Sequence, residues 1–407
     1  MASTSSASWS YKLRNDGVFE SRDSIVWEIL DALADGSNSV VGVHGMGGVG
    51  KSTLLVDAER RIREREVLLP KRLEDEESKK KKALIILDNL WKGLDLKSVG
   101  ISCGHDNEVI GCKLLLTSRD QDSLRSEMGC YKDFPLDGLQ EEEAKRLSER
   151  LVEDKVHNDQ KPFVDEALHK CSGLPFLIVT LARLFKDDGL FEWKDALKQF
   201  EMSKNNGISE VMNIILQLSY DHLIEEEGKS LLQLCVVYGA SEPSLENLVK
   251  YGVGLGLFGE ASSMEEARYR LSSLIHTLQA SSLLLENGKD DGFKIHDLVR
   301  EFVATVASRD NPFLMLKDKN KSVIELLKDK LKRCRAIWFP YVGMKEFRKE
   351  LDCPELCIFL LFTNNESFKV PDSYFNSMQK LMILNLTRIH LTHLFSSFQF
   401  LKSLYTL

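Results

Sequence analysis

The apolar residues of the first third of the chain fall in short blocks, and the stretches between blocks carry apolar residues every three or four positions. Val40-Val41-Gly42-Val43-His44 is one block, Ala83-Leu84-Ile85-Ile86-Leu87 a second and Cys112-Lys113-Leu114-Leu115-Leu116-Thr117 a third, with a short fourth between Tyr131 and Leu136. Short apolar runs read as buried strands and helical spacing as one-sided helices, so the alternation predicts a parallel α/β sheet over residues 19–140. Past Leu139 the period turns helical. One helix starts at Glu141-Glu142-Glu143-Ala144, another covers Phe163 to Cys171, and a third runs from Leu177 to Phe185 after the break Gly173-Leu174-Pro175-Phe176. Between Ile214 and Ala307 helices dominate again, with strand-like pieces at Ser282–Leu285 and Phe293–Ile295. Helices followed by a small hairpin predict a winged-helix module, and without a basic recognition helix it suits packing on protein rather than a nucleic-acid groove.

The last segment repeats itself. Leu356-x-x-Phe359-x-Leu361 returns as Leu381-x-x-Leu384-x-Leu386 and again from Leu404 to Leu407, at spacings of 25 and 23 residues, within the leucine-rich-repeat range. Such repeats cover one another's apolar edges, so a partial solenoid is expected. The resulting plan is a polar leader over 1–18, an α/β domain over 19–140, a helical domain over 141–210, a winged helix over 211–310, a linker over 311–350 and partial repeats over 351–407.

With 407 residues, 43% of them hydrophobic, the chain can bury several cores, and its net charge of −8 argues against nucleic acid as the main partner. Lys79-Lys80-Lys81-Lys82 is offset by Glu74-Asp75-Glu76-Glu77 and reads as a solvated helix end. The cysteines are scattered without a C-x-x-C pair, as expected of reduced cytoplasmic thiols. Cys353 and Cys357 with His390 and His393 lack zinc spacing. There is no secretory leader and no uninterrupted run of apolar residues long enough to span a bilayer. A soluble, cytoplasmic chain without a transmembrane segment is expected, with nuclear entry open.

The candidate chemistry begins directly after the first strand, at Gly45-Met46-Gly47-Gly48-Val49-Gly50-Lys51-Ser52-Thr53. Between a strand and a helix, G-x-x-x-x-G-K-S predicts a phosphate cradle: glycines let consecutive N–H groups turn inward on an anion, and the helix start adds its positive end. Lys51 is expected to reach the β- and γ-phosphates and Ser52 to offer a hydroxyl to Mg²⁺. Asp88 ends the second strand at the same sheet edge, where a carboxylate can hold that metal. Asn89 follows, and an amide cannot take a proton from water, so at most slow ATP hydrolysis is expected. Arg119 ends the third strand and is either a γ-phosphate donor or half of a surface ion pair. His296, on spacing alone, reads as a structural histidine.

Taken with Leu87-Asp88-Asn89-Leu90-Trp91, the run from Gly111 to Arg119, Gly173-Leu174-Pro175-Phe176, Leu218-Ser219-Tyr220-Asp221-His222-Leu223 and Ile295-His296-Asp297, the phosphate loop makes the chain resemble a known family. It is the NB-ARC core of plant intracellular disease-resistance receptors, the nucleotide-binding leucine-rich-repeat family, nearest its coiled-coil branch. The likeness runs from about Phe19 to Leu407. It implies a switch in plant defence that holds ADP when closed, exchanges it for ATP with Mg²⁺, and then oligomerises. By the same likeness Pro175 packs near adenine, His296 contacts the ADP β-phosphate, and Phe19-Glu20-Ser21-Arg22 lies at the adenine side. The implied nucleotide set is then Gly45, Gly47, Gly48, Val49, Gly50, Lys51, Ser52, Thr53, Arg119, Pro175 and His296, with Ser52 and Asp88 on the metal. Implied partners are a pathogen effector or guarded host protein, receptor relatives, or further copies of the chain.

The chain also departs from the family pattern. By this reading no signalling domain is expected ahead of residue 19 and only a short repeat array after 350, and Asn89 and Ile295 stand where the family has aspartate and methionine. Only 36 residues separate Lys51 from Asp88, where the family fits another strand and helix. The strand so lost would be the edge strand, so a four-stranded sheet with an exposed Ala83–Leu87 edge is expected. That edge motivates an alternative: a truncated, nucleotide-independent paralogue that binds full-length receptors.

Overall fold

The computed structural model describes residues 19–35, 37–66, 83–101, 112–152, 160–184, 190–202, 207–223, 225–238, 244–259, 261–286, 292–310, 313–315, 328–342, 346–347, 351–363, 365, 368–387, 389 and 395–407. The Ser-rich leader, the 74–82 charge run, Cys103, the expected helix end at Phe185 and the pair His390 and His393 lie outside these residues. The chain divides into two compact units that meet in sequence at Leu218 and Ser219.

The first unit is built on a parallel sheet. Its strands are β1 (Val40–His44), β2 (Ala83–Leu90), β3 (Cys112–Ser118) and β4 (Lys132–Pro135), in the order β2-β3-β1-β4. Val40 to Val43 and Lys113 to Ser118 are buried, which is why these central strands read as apolar runs rather than as alternation. Lys113 lies inside the apolar run of β3 and survives burial by sending its Nζ to the carbonyls of Asn38, at 2.8 Å, and Asp35. Among the described residues β2 is the outer strand, and its Leu84 to Leu87 are half-buried rather than fully exposed. Around the sheet and beyond it come α1 (Glu20–Ala34), α2 (Lys51–Glu66), α3 (Glu141–Val152), α4 (Lys161–Lys170), α5 (Pro175–Leu184) and α6 (Leu190–Met202).

α7 (Ile208–Asp221) leads into the second unit, which continues with α8 (Glu226–Tyr238), α9 (Leu245–Gly254) and α10 (Met264–Ala280). Ser263 caps α10 by accepting the Glu266 N–H. A two-stranded antiparallel hairpin follows, β5 (Leu285–Glu286) with β6 (Phe293–Lys294), and then α11 (Asp297–Asp310). The strand expected from Ser282 begins only at Leu285, because Ser282 takes a left-handed turn (φ 58°) on leaving α10.

Four parallel strands complete this unit: β7 (Phe313–Met315), β8 (Ala336–Val342), β9 (Ile358–Thr363) and β10 (Ile383–Thr387), stacked in sequence order. The segment read as a linker, 311–350, thus supplies two of them. One step of the stack recurs at each level: Ile358 N–H donates to Arg335 O, Ile383 N–H to Cys357 O and Thr406 N–H to Met382 O. Ile337 and Phe339, Phe359 and Leu361, and Leu384 share one buried core, so the inward frame begins a turn earlier, at Cys334-x-x-Ile337-x-Phe339. Among the described residues no helix is long and apolar enough to cross a membrane.

Candidate functional site

The phosphate loop leaves β1 beside β3, where the Gly45 N–H donates to Ser118 O at 3.3 Å. A Cβ on Gly45 would strike the Leu136 carbonyl oxygen, so close approach requires glycine there. Gly48 and Gly50 hold φ of 78° and 99°, which L side chains resist. Val49, buried between them, seats the loop in the core. Lys51, only 9% exposed, folds back so that its Nζ donates to Gly45 O at 2.6 Å and Met46 O at 2.8 Å. The loop's own carbonyls therefore hold the ammonium against the cradle. Ser52 and Thr53 are exposed in the first turn of α2.

Three segments brace the loop. Pro175 opens α5, a position that suits its fixed φ and missing N–H, and the next residue, Phe176, donates its N–H to Gly48 O at 3.1 Å. In the first turn of α1, Arg22 donates from Nη2 to Asp137 O at 2.6 Å and Val49 O at 3.4 Å. Burial pulls the Arg22 guanidinium down from its ordinary value, and the carboxylates of Glu143 and Asp137 work against that shift. Glu143 takes the Ser21 N–H at 3.0 Å and the Ser21 hydroxyl at 2.7 Å, and its acceptance of the Gln140 N–H (3.2 Å) closes the start of α3. Burial pushes the Glu143 carboxyl up, but these hydrogen bonds and the Arg22 charge outweigh it and leave the group below its ordinary value. Sequence reading passed over Glu143 inside a run of three glutamates. The available signal was its place one turn before Leu147 on the buried stripe of α3.

The third brace is β4. His44 Nε2 lies 2.9 Å from Asp133 Oδ2, and the buried Asp133 carboxylate also accepts from Gln121 Nε2 and Arg125 Nε, each at 2.7 Å. Burial raises this carboxyl, yet the bonds from Gln121 and Arg125 and the nearby charges hold it below its ordinary value.

Asp88 is exposed at the end of β2. The Thr117 hydroxyl donates to its Oδ1 and accepts the Asn89 N–H at 2.7 Å. Asn89 adopts φ 63°, a left-handed conformation that asparagine tolerates, and the β2–β3 register shifts between Leu87 and Leu90. A bulge thus re-aims the carboxylate, with Thr117 orienting it. Arg119 lies one residue past β3, its guanidinium 4.4 Å from the centroid of the Trp91 ring.

Phosphate loop, Asp88, Arg119 and Pro175 therefore belong to one unit, the first three along one edge of its sheet. His296 belongs to the other unit, where its Nδ1 accepts the Leu298 N–H at 3.1 Å and caps α11. Among the described residues no group of three His, Cys, Asp or Glu has the makings of a metal site. The Ser52 hydroxyl and the Asp88 carboxylate, both exposed, are the hard oxygen donors Mg²⁺ accepts when phosphates and water fill the rest of its shell.

A parallel sheet carrying a glycine-rich phosphate loop, with an aspartate at the end of a companion strand, defines a P-loop nucleotide-binding fold. Its particular kind follows from relatives. The NB-ARC domain family matches residues 63–158. Disease resistance protein UNI of Arabidopsis thaliana is 27% identical over 90% of this chain and 46% of its own length. Disease resistance protein RFL1 of the same plant is 25% identical over 91% of this chain and 47% of its own length. The chain is similar to plant NB-ARC resistance proteins over most of its own length, and it spans about half the length of the curated relatives it matches. Among solved structures, the Aeropyrum pernix ORC1 protein in complex with DNA aligns with 73% of this chain and 96% of its own at 11% identity, with a TM-score of 0.29, too distant to bear on the argument.

Proposed function

We propose that this chain is the nucleotide-binding switch of a plant immune receptor, with exchange of ADP for ATP gating a closed-to-open change. The observation that carries the reading is the Lys51 ammonium held on the carbonyls of a loop whose glycines take left-handed conformations, with Asp88 re-aimed at the same sheet edge. In this reading the loop N–H groups bind the phosphates, and Lys51 exchanges its bonds to the Gly45 and Met46 carbonyls for bonds to phosphate oxygens. Bound Mg²⁺ would neutralise charge between the β- and γ-phosphates, held by Ser52 and Asp88. Pro175 at the adenine, Arg119 at the γ-phosphate and His296 at the ADP β-phosphate complete the assignment. A ligand that touches more than one module biases their arrangement by its differential affinity for the two states. With Asn89 following Asp88, and no base supplied by that position, the chain serves as a switch with at most slow turnover.

The winged-helix reading of α7 to α11 with its hairpin, and the leucine-rich-repeat reading of β8 to β10, belong to the same proposal. So do the cytoplasmic location and a partner that is a pathogen effector, a guarded host protein or a second receptor chain. Gently purified protein should release near-stoichiometric ADP on denaturation. Lys51→Ala should lose it, with affinity down about 100-fold, the worth of a charge-assisted contact to phosphate. Equal ADP content in the two proteins would sink the switch reading.

A second reading, nucleotide-independent pairing with receptor relatives, is favoured by the half-exposed Leu84 to Leu87 on the outer strand of the sheet. Empty protein that still binds a receptor relative tightly, and loses that binding on Ile86→Lys, would establish it in place of the first.

A further inference from the structure

The bulge at Asp88 and Asn89 does a second thing besides aiming a carboxylate. It brings Leu90 back into register with Ser118, so that Trp91 and Arg119 leave their strands side by side. The Ser118 hydroxyl donates to Leu90 O at 2.8 Å and fixes that pairing, while Ser118 O receives the first N–H of the phosphate loop. Arg119, whose guanidinium lies 4.4 Å from the Trp91 centroid, thus follows in sequence the residue that holds the start of the cradle. Trp91 is a large aromatic ring left 58% exposed, so its face is accessible to a cation. Guanidinium is the cation that uses it best: planar, weakly hydrated and attracted to the negative face of the ring. Its five donors lie in its plane, so stacking occupies the faces and leaves the direction of the N–H bonds defined.

We propose that Trp91 is a positioning residue that fixes the Arg119 guanidinium for a γ-phosphate, and so sets the preference of the site for ATP over ADP. The proposal rests on the nucleotide-switch reading. The stack on Trp91 narrows the rotamers open to the long Arg119 stem before a ligand binds, which lowers the ordering cost at binding. ADP has no γ-phosphate and gains nothing from this arrangement.

The test is calorimetric titration of the full chain with Mg-ATP and with ADP, for the parent and for Trp91→Ala, Trp91→Leu, Trp91→Phe and Arg119→Ala. Trp91→Ala should weaken ATP about three- to fivefold, the worth of one partly exposed cation–π contact, and leave ADP unchanged. Trp91→Leu keeps apolar bulk without a π face and should match Trp91→Ala, so loss of folding in the alanine variant does not end the test. Trp91→Phe should recover most of the ATP affinity. The double variant of Trp91→Ala with Arg119→Ala should be no worse than Arg119→Ala alone. An unchanged ATP-to-ADP ratio in Trp91→Ala, with a lowered ratio in Arg119→Ala, overturns the role of Trp91 and leaves the switch reading standing. A raised ATP affinity in Trp91→Ala would mean that the ring competes for the cation, and also overturns it. No change in either variant, or no nucleotide binding by the parent, removes the γ-phosphate reading itself.

Discussion

Around the phosphate loop, Arg22, Lys51, Asp88 and Asp133 are each held by particular partners at particular atoms, backbone carbonyls for the two cations and side chains for the two carboxylates. In the stacked strands the reverse holds. Phe339, Phe347, Phe359, Phe368, Tyr374 and Phe375 fill one core with ring centroids 4.4–6.3 Å apart, and what repeats is the spacing of the backbone, not the identity of the side chain. The first region is specified by directed polar contacts whose loss should be read in binding. The second is specified by volume and periodicity, whose loss should be read in stability.

That contrast can be broken at its strongest point first. Phe359 is fully buried among four aromatic neighbours, so Phe359→Ala should cost about 3–5 kcal/mol. Hydrogen exchange should then show protection lost over residues 336–407 and retained in β1 and β3; uniform loss would mean the two regions are not separately specified. Next, Asp88→Ala should weaken Mg-ATP by about tenfold while ADP moves little, because the metal bridges the β- and γ-phosphates. Equal weakening of both nucleotides in a titration would make Asp88 a merely structural partner of Thr117.

The smallest effect is a pH dependence. Glu143 titrates below its ordinary 4.5, so its contribution is full above that value and is lost as pH falls through the lowered one. The protection of amides 19–25, relative to their intrinsic exchange rates, should fall over that acid window in the parent. In Glu143→Gln, which should cost about 1 kcal/mol, protection should be low already and flat with pH. A parent profile without an acid limb would show that Ser21 and Arg22 are held by something other than this carboxylate.

How much of this was legible depended on whether the signal was local. β1 stands at the residues its apolar run marks, and the phosphate loop announces itself by glycine spacing. β2 begins at Ala83 as expected but runs to Leu90, because a bulge that continues a strand past the polar pair Asp88 and Asn89 has no apolar signature. β8 was hidden by composition: its frame carries Cys334, Ile337 and Phe339 where the later repeats carry mostly leucine, so a search for leucines starts one repeat too late. The partners of Glu143 and Asp133 lie up to 122 residues away in sequence, and no local pattern encodes such pairings. Burial of Cys171 and Cys235, which pushes both thiols up to about 12, agrees with inert, reduced cysteines filling space.

The Asp133 carboxylate has a consequence for how this corner can drift under mutation. Gln121 and Arg125 donate to it and His44 Nε2 lies 2.9 Å away, so removing any one of these partners leaves the carboxylate with two. Removing Asp133 instead takes the shared partner from all three at once. Tolerance is therefore lopsided. In a library of variants selected for folding, substitutions should accumulate at the three partners and stay rare at the carboxylate, and a lineage that does replace Asp133 should be found to have changed Arg125 first.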